Sequence, residues 1–220
     1  MITILICVHS VTDMNDKFLY EALLSLRNQT YKNFKTIIVL DECWDKTKKI
    51  VNDAEFDKDT LLVLERNKKE GLAYAKNYGL SFVDTKYVAF LDADDLYEPT
   101  KLEKQVEFIK DNEVDFIGTQ HSEINIYDRV TRRISPYHKD CHIYVTHEEV
   151  VNAIRNGYNV FTHGSMLIKM KALIELGCYK HVLGAEDWDL WQRAVAANKY
   201  KFHQLEERLY VWCEGSAVSR

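Results

Sequence analysis

The stretch Ile2–Val8 is a short, unbroken apolar run, the pattern of a parallel strand covered on both faces. The spacing then predicts a helix over residues 14–27. Phe18, Leu19, Ala22, Leu23 and Leu26 share one of its faces, and Asp13 can cap it. Residues 36–40 read as a second strand, 45–52 as a short helix and 61–64 as a third strand. Residues 71–82 read as a helix with Leu72, Ala75 and Gly79 inward, and 87–91 as a fourth strand. Pro99 suits the first turn of the next helix, which buries Leu102, Val106 and Ile109. Residues 115–118 form a fifth strand.

Strand and helix alternate throughout this region. That order predicts right-handed βαβ crossovers and an α/β fold with a Rossmann-like, mostly parallel sheet and helices on both faces. In such sheets ligands bind beyond the carboxyl ends of the strands. His9-Ser10, Asp41, Arg66-Asn67 and the stretch from Asp92 to Asp95 therefore share one rim. After about residue 119 the pattern changes. Residues 122–127 and 132–135 read as a hairpin, His147–Arg155 as a helix and 161–168 as an apolar strand. A short helix over 171–176, a longer one over 186–198 and short strands over 201–205 and 208–213 complete the pattern. Leu190, Trp191, Ala194 and Val195 line the inner face of the longer helix. The expectation is a single domain over 1–220, with 1–119 as one half. A smaller, mixed subdomain over 120–220 packs on it without a flexible linker.

Composition narrows the classes. The chain has 220 residues, 46% hydrophobic and 29% charged, which is ordinary for a globular protein. A net charge of −5 leaves no basic footprint for nucleic acid. Cys7, Cys43, Cys141, Cys178 and Cys213 are odd in number, far apart and form no CxxC pair, which points to a reducing compartment. The Asn28-Gln29-Thr30 sequon carries no meaning there. No apolar run approaches the roughly 18 residues of a membrane span, and the N-terminal run lacks a basic lead-in. The expected location is cytoplasmic. Peripheral membrane contact stays open, although no basic amphipathic helix supports it.

Candidate chemistry concentrates in Asp92-Ala93-Asp94-Asp95, directly after the apolar run of residues 87–91. Three carboxylates within four positions repel one another, and a hard divalent cation removes that cost. The plainer reading is a solvated acidic turn before a helix.

Six segments in order resemble family 2 glycosyltransferases of GT-A fold. The apolar strand ending Cys7-Val8-His9-Ser10 stands where the family has Pro-Val-Tyr-Asn. Residues 21–34 are similar to its first helix and following turn. The run Val39-Leu40-Asp41-Glu42-Cys43-Trp44-Asp45 aligns with its Val-Asp-Asp-Gly-Ser-x-Asp. Asn67, Gly71, Ala73, Ala75, Lys76, Asn77 and Gly79 follow its Asn-x-Gly-x-Ala-x-Ala-Arg-Asn-x-Gly pattern, with wider spacing between Asn67 and Gly71. Phe90-Leu91-Asp92-Ala93-Asp94-Asp95 matches its Asp-x-Asp strand, and Gly184-Ala185-Glu186-Asp187-Trp188 its Glu-Asp helix. The chain departs from the pattern at Cys7, His9, Ser10 and Leu40. Lys76 replaces an Arg and loses its bidentate fork. Cys213 stands where a metal-holding His is common, and a thiolate suits Mn²⁺ better than Mg²⁺.

The resemblance implies an inverting transfer from a nucleotide sugar, UDP-linked, to a hydroxyl of a glycan or lipid-linked acceptor, with Mn²⁺ or Mg²⁺. It implies that Asp92 and Asp94 hold the metal or the donor ribose, with Ala93 between them. Val8, His9, Asp41, Asn67 and Lys76 lie on the nucleotide side, Asp41 accepting from the base. Asp187 is the implied general base and Glu186 its orienting neighbour. Asp95, His163, Gly164 and Trp188 are implied on the donor-sugar or acceptor side, each with a structural role as the alternative. Two rivals are weaker. A haloacid-dehalogenase-like phosphatase opens with its Asp-x-Asp and carries Thr or Val where Leu96 stands. Sugar-nucleotide synthesis needs a Gly-rich loop that residues 8–13 lack. A non-catalytic nucleotide-sugar-binding module is the serious alternative, although such a module has no need of Asp187.

Overall fold

The computed structural model describes residues 1–9, 13–67, 70–125, 135–136, 143–182 and 184–214. The predicted alternation is present through β1 (Ile2–Val8), α1 (Asp13–Arg27), β2 (Phe34–Asp41), α2 (Asp45–Asp53), β3 (Leu61–Arg66), α3 (Leu72–Leu80) and β4 (Tyr87–Phe90). A two-residue β5 (Leu96–Tyr97) precedes α4 (Lys101–Asp111) and β6 (Phe116–Asn125). Beyond these lie β7 (Ser135–Pro136), α5 (His147–Arg155), β8 (Leu167–Lys169), α6 (Met170–Glu175), α7 (Glu186–Ala196) and β9 (Phe202–Glu214).

All these strands share one sheet, in the order β3-β2-β1-β4-β8-β6-β9-β5, with β7 paired to β6. β1 through β4 run parallel, as the crossovers require. The sheet as a whole is mixed rather than mostly parallel. β8 enters antiparallel between β4 and β6, pairing Tyr87 with Lys169 and Phe116 with Ile168. The reason is non-local: β8 follows β6 in sequence but is inserted inside it.

Three other expectations change in detail. The apolar run 161–168 is not one strand. It begins as a 3₁₀ turn, His163–Ser165, before β8. A Cβ on Gly164 would lie 1.9 Å from the Tyr210 hydroxyl, so the tight turn brings backbone against β9 where only glycine fits. An apolar run alone does not separate buried strand from buried turn. The two terminal strands merge into β9, whose parallel pairing with β6 shifts register between Thr119 and His121. Finally, Leu72 is the first residue of α3 and points outward, 43% exposed, while Ala73, Lys76 and Leu80 turn inward. Of the expected hairpin, β7 pairs with Ser122 and Glu123, and residues 126–134 lie outside those described.

Two apolar cores fill the two faces of the sheet. One joins Leu5, Val39 and Phe90 to Phe116, Phe161, Trp191 and Phe202. The other joins Ile4, Ile6 and the buried face of α1 to Ile117, Leu205 and Tyr210. Both cores cross residue 119, so the two halves of the chain share their interior. α3 lies close on β1: a Cβ on Gly79 would come within 2.4 Å of Leu5 Cδ1.

Candidate functional site

Four parallel strands deliver their ends to one rim. At the end of β1, the Val8 carbonyl accepts from the Cys43 thiol at 3.2 Å. His9 Nδ1 lies 2.8 Å from the Asp41 carbonyl oxygen, tying β1 to β2. Asp41 ends β2, is 5% exposed, and pairs in register with Arg66 at the end of β3. Asn67 follows Arg66 and is exposed. Beneath the rim, Cys7 is pushed up to about 12 by burial, within electrostatic reach of Lys76, Asp92, Asp41 and Arg66.

The acidic turn after β4 is closed by the Asp95 N–H donating to the Asp92 carbonyl at 3.1 Å. Asp92 is half-buried, whereas Ala93, Asp94 and Asp95 are 4%, 3% and 2% exposed. Asp95 faces β9. One of its oxygens accepts from the Cys213 N–H at 2.7 Å and the other from the Tyr210 hydroxyl, which also lies 3.3 Å from Asp92 Oδ2. The Cys213 side chain is buried with Ile124 and Val211, and Leu96 packs against them. Asp95 therefore fixes the turn to β9.

The opposite wall is the start of α7. The segment leading into it is held at several points. Asn77 bonds both the N–H and the carbonyl of Tyr179, at 3.0 and 2.8 Å. Arg193 donates to the carbonyls of Leu176 and Cys178. Lys76, buried on α3, donates from Nζ to Glu186 Oε1 at 2.8 Å and lies over the Tyr179 ring. Asp187 Oδ1 accepts from the Trp188 N–H at 2.7 Å, and Trp188 packs half-buried against the core. His163 sits behind this wall. Its Nε2 lies 2.7 Å from the Tyr179 hydroxyl, and its ring rests against Phe90 and Trp191. Burial, then the Lys76 charge, hold it well below the ordinary histidine range, so it is neutral.

The two walls feel each other. Burial pushes Asp92 up to about 6. Lys76 opposes this, and Asp94, Asp187 and Glu186 add to it. Burial also raises Asp187, again against Lys76. For Glu186 burial acts upward, but the charge and hydrogen bond of Lys76 outweigh it and hold the carboxyl below its usual value. The structure thus brings Asp92, Asp94, Glu186, Asp187 and Lys76 together from β4, α7 and α3. Asn67 is placed farther out on the rim, and Trp188 and His163 against the core. Tyr179 and Tyr210 organise the two walls, and no periodicity or spacing singled them out. Their partners lie across the fold.

The described residues contain no group of three or more His, Cys, Asp or Glu side chains that would enclose a metal. The donor set nevertheless fits a hard divalent cation. Its atoms are carboxylate oxygens, and Asp92 is raised first by burial and then by neighbouring negative charge that a cation would offset. Mg²⁺ in particular is held by one or two carboxylates with substrate phosphates and water, rather than by an all-protein cage.

Residues 3–177 match the family model of glycosyl transferase family 2. The uncharacterized glycosyltransferase MJ1057 of Methanocaldococcus jannaschii is 30% identical over 199 residues, covering 88% of this chain and 65% of that protein. The crystal structure of S. aureus TarS 1-349 in complex with UDP-GlcNAc is similar, with a TM-score of 0.78 at 18% identity, over 99% of this chain and 60% of the other. Mannosyltransferase PcManGT from Pyrobaculum calidifontis, in complex with GDP-Man and Mn²⁺, gives a TM-score of 0.72 at 19% identity, over 96% of this chain and 56% of the other. The two structural likenesses are of fold. The chain spans less than two thirds of each of these three proteins.

Proposed function

Because the chain belongs to glycosyl transferase family 2, we propose that it is an inverting, metal-dependent glycosyltransferase. It moves a sugar from a nucleoside diphosphate donor, UDP-linked, to a hydroxyl of a glycan or lipid-linked acceptor. The observation that carries this reading is the convergence of two carboxylate walls, Asp92 with Asp94 and Glu186 with Asp187, on one rim around buried Lys76. A nucleotide pocket by itself needs the first wall and not the second.

In this reading Asp41 accepts from the base, with Val8, His9 and Asn67 along the nucleotide side. Asp94 and Asp92 would hold Mn²⁺ or Mg²⁺, which when bound offsets charge developing on the departing diphosphate. Ala93 is small and buried between them, which keeps the two carboxylates on one turn. Lys76 contributes positive charge at the same place while orienting Glu186. Asp187 takes the proton of the acceptor hydroxyl as it attacks the anomeric carbon from the face opposite the diphosphate, which inverts the configuration. Burial raises its pKa, which makes it a stronger base than an exposed aspartate. Trp188 offers an apolar face to the acceptor, and His163, Gly164 and Asp95 shape the donor-sugar side from beneath. Residues 120–220 form the acceptor side, and 1–119 the nucleotide side. The two similar solved structures, in complex with UDP-GlcNAc and with GDP-Man and Mn²⁺, support a nucleotide-sugar donor and a divalent cation. No helix among the described residues is long and apolar enough to cross a membrane. Work in the cytoplasm or against a membrane surface fits this reading.

Isothermal titration of UDP, GDP and dTDP tests the donor site, each with Mn²⁺ and with EDTA, against wild type and Asp94→Ala. The expected result is tight UDP binding that requires both the metal and Asp94. Absence of metal-dependent binding for all three diphosphates would overturn the assignment.

A further inference from the structure

We propose that Tyr179 is a positioning residue for the reaction: its ring face holds the Lys76 ammonium between the two carboxylate walls, and buried His163 holds the ring. This rests on the donor-site reading above and deepens it.

Tyr179 is buried in the segment between α6 and α7. The chain reaches it through Gly177 and Cys178, at φ 76° and 55°. Left-handed backbone at a non-glycine residue is uncommon. Here it is pinned on both sides, by Arg193 at the Cys178 carbonyl and by Asn77 at the N–H and carbonyl of Tyr179. Asn77 is the neighbour of Lys76 on α3, so adjacent residues of one helix meet the backbone and the ring of Tyr179. Lys76 Nζ lies 5.2 Å from the ring centroid and 2.8 Å from Glu186 Oε1. Among the described residues Glu186 is its one hydrogen-bond acceptor. A buried ammonium bonded to one carboxylate still has two N–H groups to satisfy, and an aromatic face offers them negative potential.

The ring is fixed in turn. Its hydroxyl lies 2.7 Å from His163 Nε2, and it packs at 88° against Phe90, two residues before Asp92. His163 is itself set against Phe90 and Trp191. Its Nδ1 is buried and has no hydrogen-bond partner among the described residues. Leaving a buried nitrogen unmet is costly. The contact with Tyr179 is the one hydrogen bond the imidazole makes among those residues, so what it holds accounts for its place. Tyr179 thus ties α3 to the end of β4 and, through His163, to α7. Lys76 is the cation that opposes the raising of Asp92 and Asp187 and that lowers Glu186. Its placement matters to both walls, and Tyr179 acts on the reaction through it.

The test is titration of UDP with Mn²⁺ against wild type, Tyr179→Phe and Tyr179→Leu. Tyr179→Phe keeps the ring face and should keep most of the affinity. Tyr179→Leu removes the face and should weaken UDP by about tenfold, the size of a desolvated cation–π contact. Equal losses in the two variants, or no loss in Tyr179→Leu, overturn the inference. If Tyr179→Leu does not fold, fluorinated phenylalanines at position 179 decide the matter, because fluorine draws charge from the ring face and leaves its shape nearly unchanged. Affinity should fall stepwise from phenylalanine to pentafluorophenylalanine as the hold on the ammonium fades. A ring that only fills space gives a flat series, and a flat series overturns the inference. In each of these outcomes wild type still binds, so the donor-site reading stands. Failure of wild type to bind UDP overturns that reading and this inference with it.

Discussion

The turn after β4 and the start of α7 each bring adjacent carboxylates to the same rim, and each commits one of them to holding the fold. In the turn it is Asp95, whose two oxygens take the Cys213 N–H and the Tyr210 hydroxyl from β9. On α7 it is Glu186, paired with buried Lys76. The braces differ in kind. Asp95 is raised well above its usual range by burial and by its acidic neighbours, so its brace is that of a carboxyl that resists ionising. Glu186 is lowered, so its brace is an ion pair. Beside each brace stand the carboxylates proposed to do the chemistry, Asp92 with Asp94 on one wall and Asp187 on the other. A rigid neighbour is what holds a reacting group within the narrow tolerance that catalysis needs.

If that division is right, removing the chemical partner and removing the brace give different signatures. The largest effect is expected for Asp187→Asn. Turnover of a UDP-sugar should fall by about 10²–10⁴-fold, the usual worth of a general base, with UDP affinity nearly unchanged. A parallel loss of affinity would place Asp187 with the donor instead. Next comes Lys76→Met, which leaves Glu186 buried without its cation. Breaking one side of such a pair costs about 3–5 kcal/mol, and the slight exposure of Glu186 puts this one near the lower end. Urea denaturation should show the loss, and the double variant Lys76→Met with Glu186→Leu should recover most of it.

Tyr210→Phe should cost less, about 1–3 kcal/mol, because Asp95 loses one donor and keeps the Cys213 N–H. Denaturation of the variant measures that cost, and UDP titration should show little change. The opposite pattern, intact stability with lost donor binding, would move Asp95 from the fold to the chemistry.

How far the chain announces this arrangement differs between the two walls and the sheet that carries them. β1 to β4 follow from apolar runs bounded by helices, because a strand buried on both faces leaves no other pattern. Asp92, Asp94, Glu186 and Asp187 stand out because their motifs are local. Asp95 and Tyr210 are 115 positions apart, and nothing near either signals their bond. The inversion of β8 is hidden for the same reason. The direction of β8 depends on its pairing with β4 and β6, both distant in sequence, and not on its own three residues. Leu72 misled because the buried stripe runs through Ala73, Ala75, Lys76, Gly79 and Leu80, which leaves Leu72, in the first turn after Gly71, outside it. Arg66 was legible as a rim residue, but the burial of its Nη1 without a hydrogen-bond partner among the described residues is a property of packing.

The smallest effect separates the neighbours Glu186 and Asp187 by pH. Glu186 has a folded-state pKa below its unfolded value. The stability from its pair with Lys76 is therefore fully present above the ordinary glutamate range and is lost only as pH falls through the depressed folded value. Asp187 is shifted the other way by burial. Its proton-accepting form begins to disappear while pH is still above the ordinary aspartate range. Acidification should therefore lower kcat/KM before it lowers the urea midpoint, and the two profiles, measured on one preparation, should be displaced along the pH axis in that order. The raised carboxyl also costs the fold some stability once pH exceeds its folded pKa, because its charge is then buried at the rim. Asp187→Asn removes that charge. At neutral pH the inactive variant should melt slightly higher than wild type, and the gap should close as pH falls toward the ordinary aspartate range. A gap that stays constant with pH would mean that Asp187 ionises as an exposed aspartate does, and burial would then no longer account for its strength as a base.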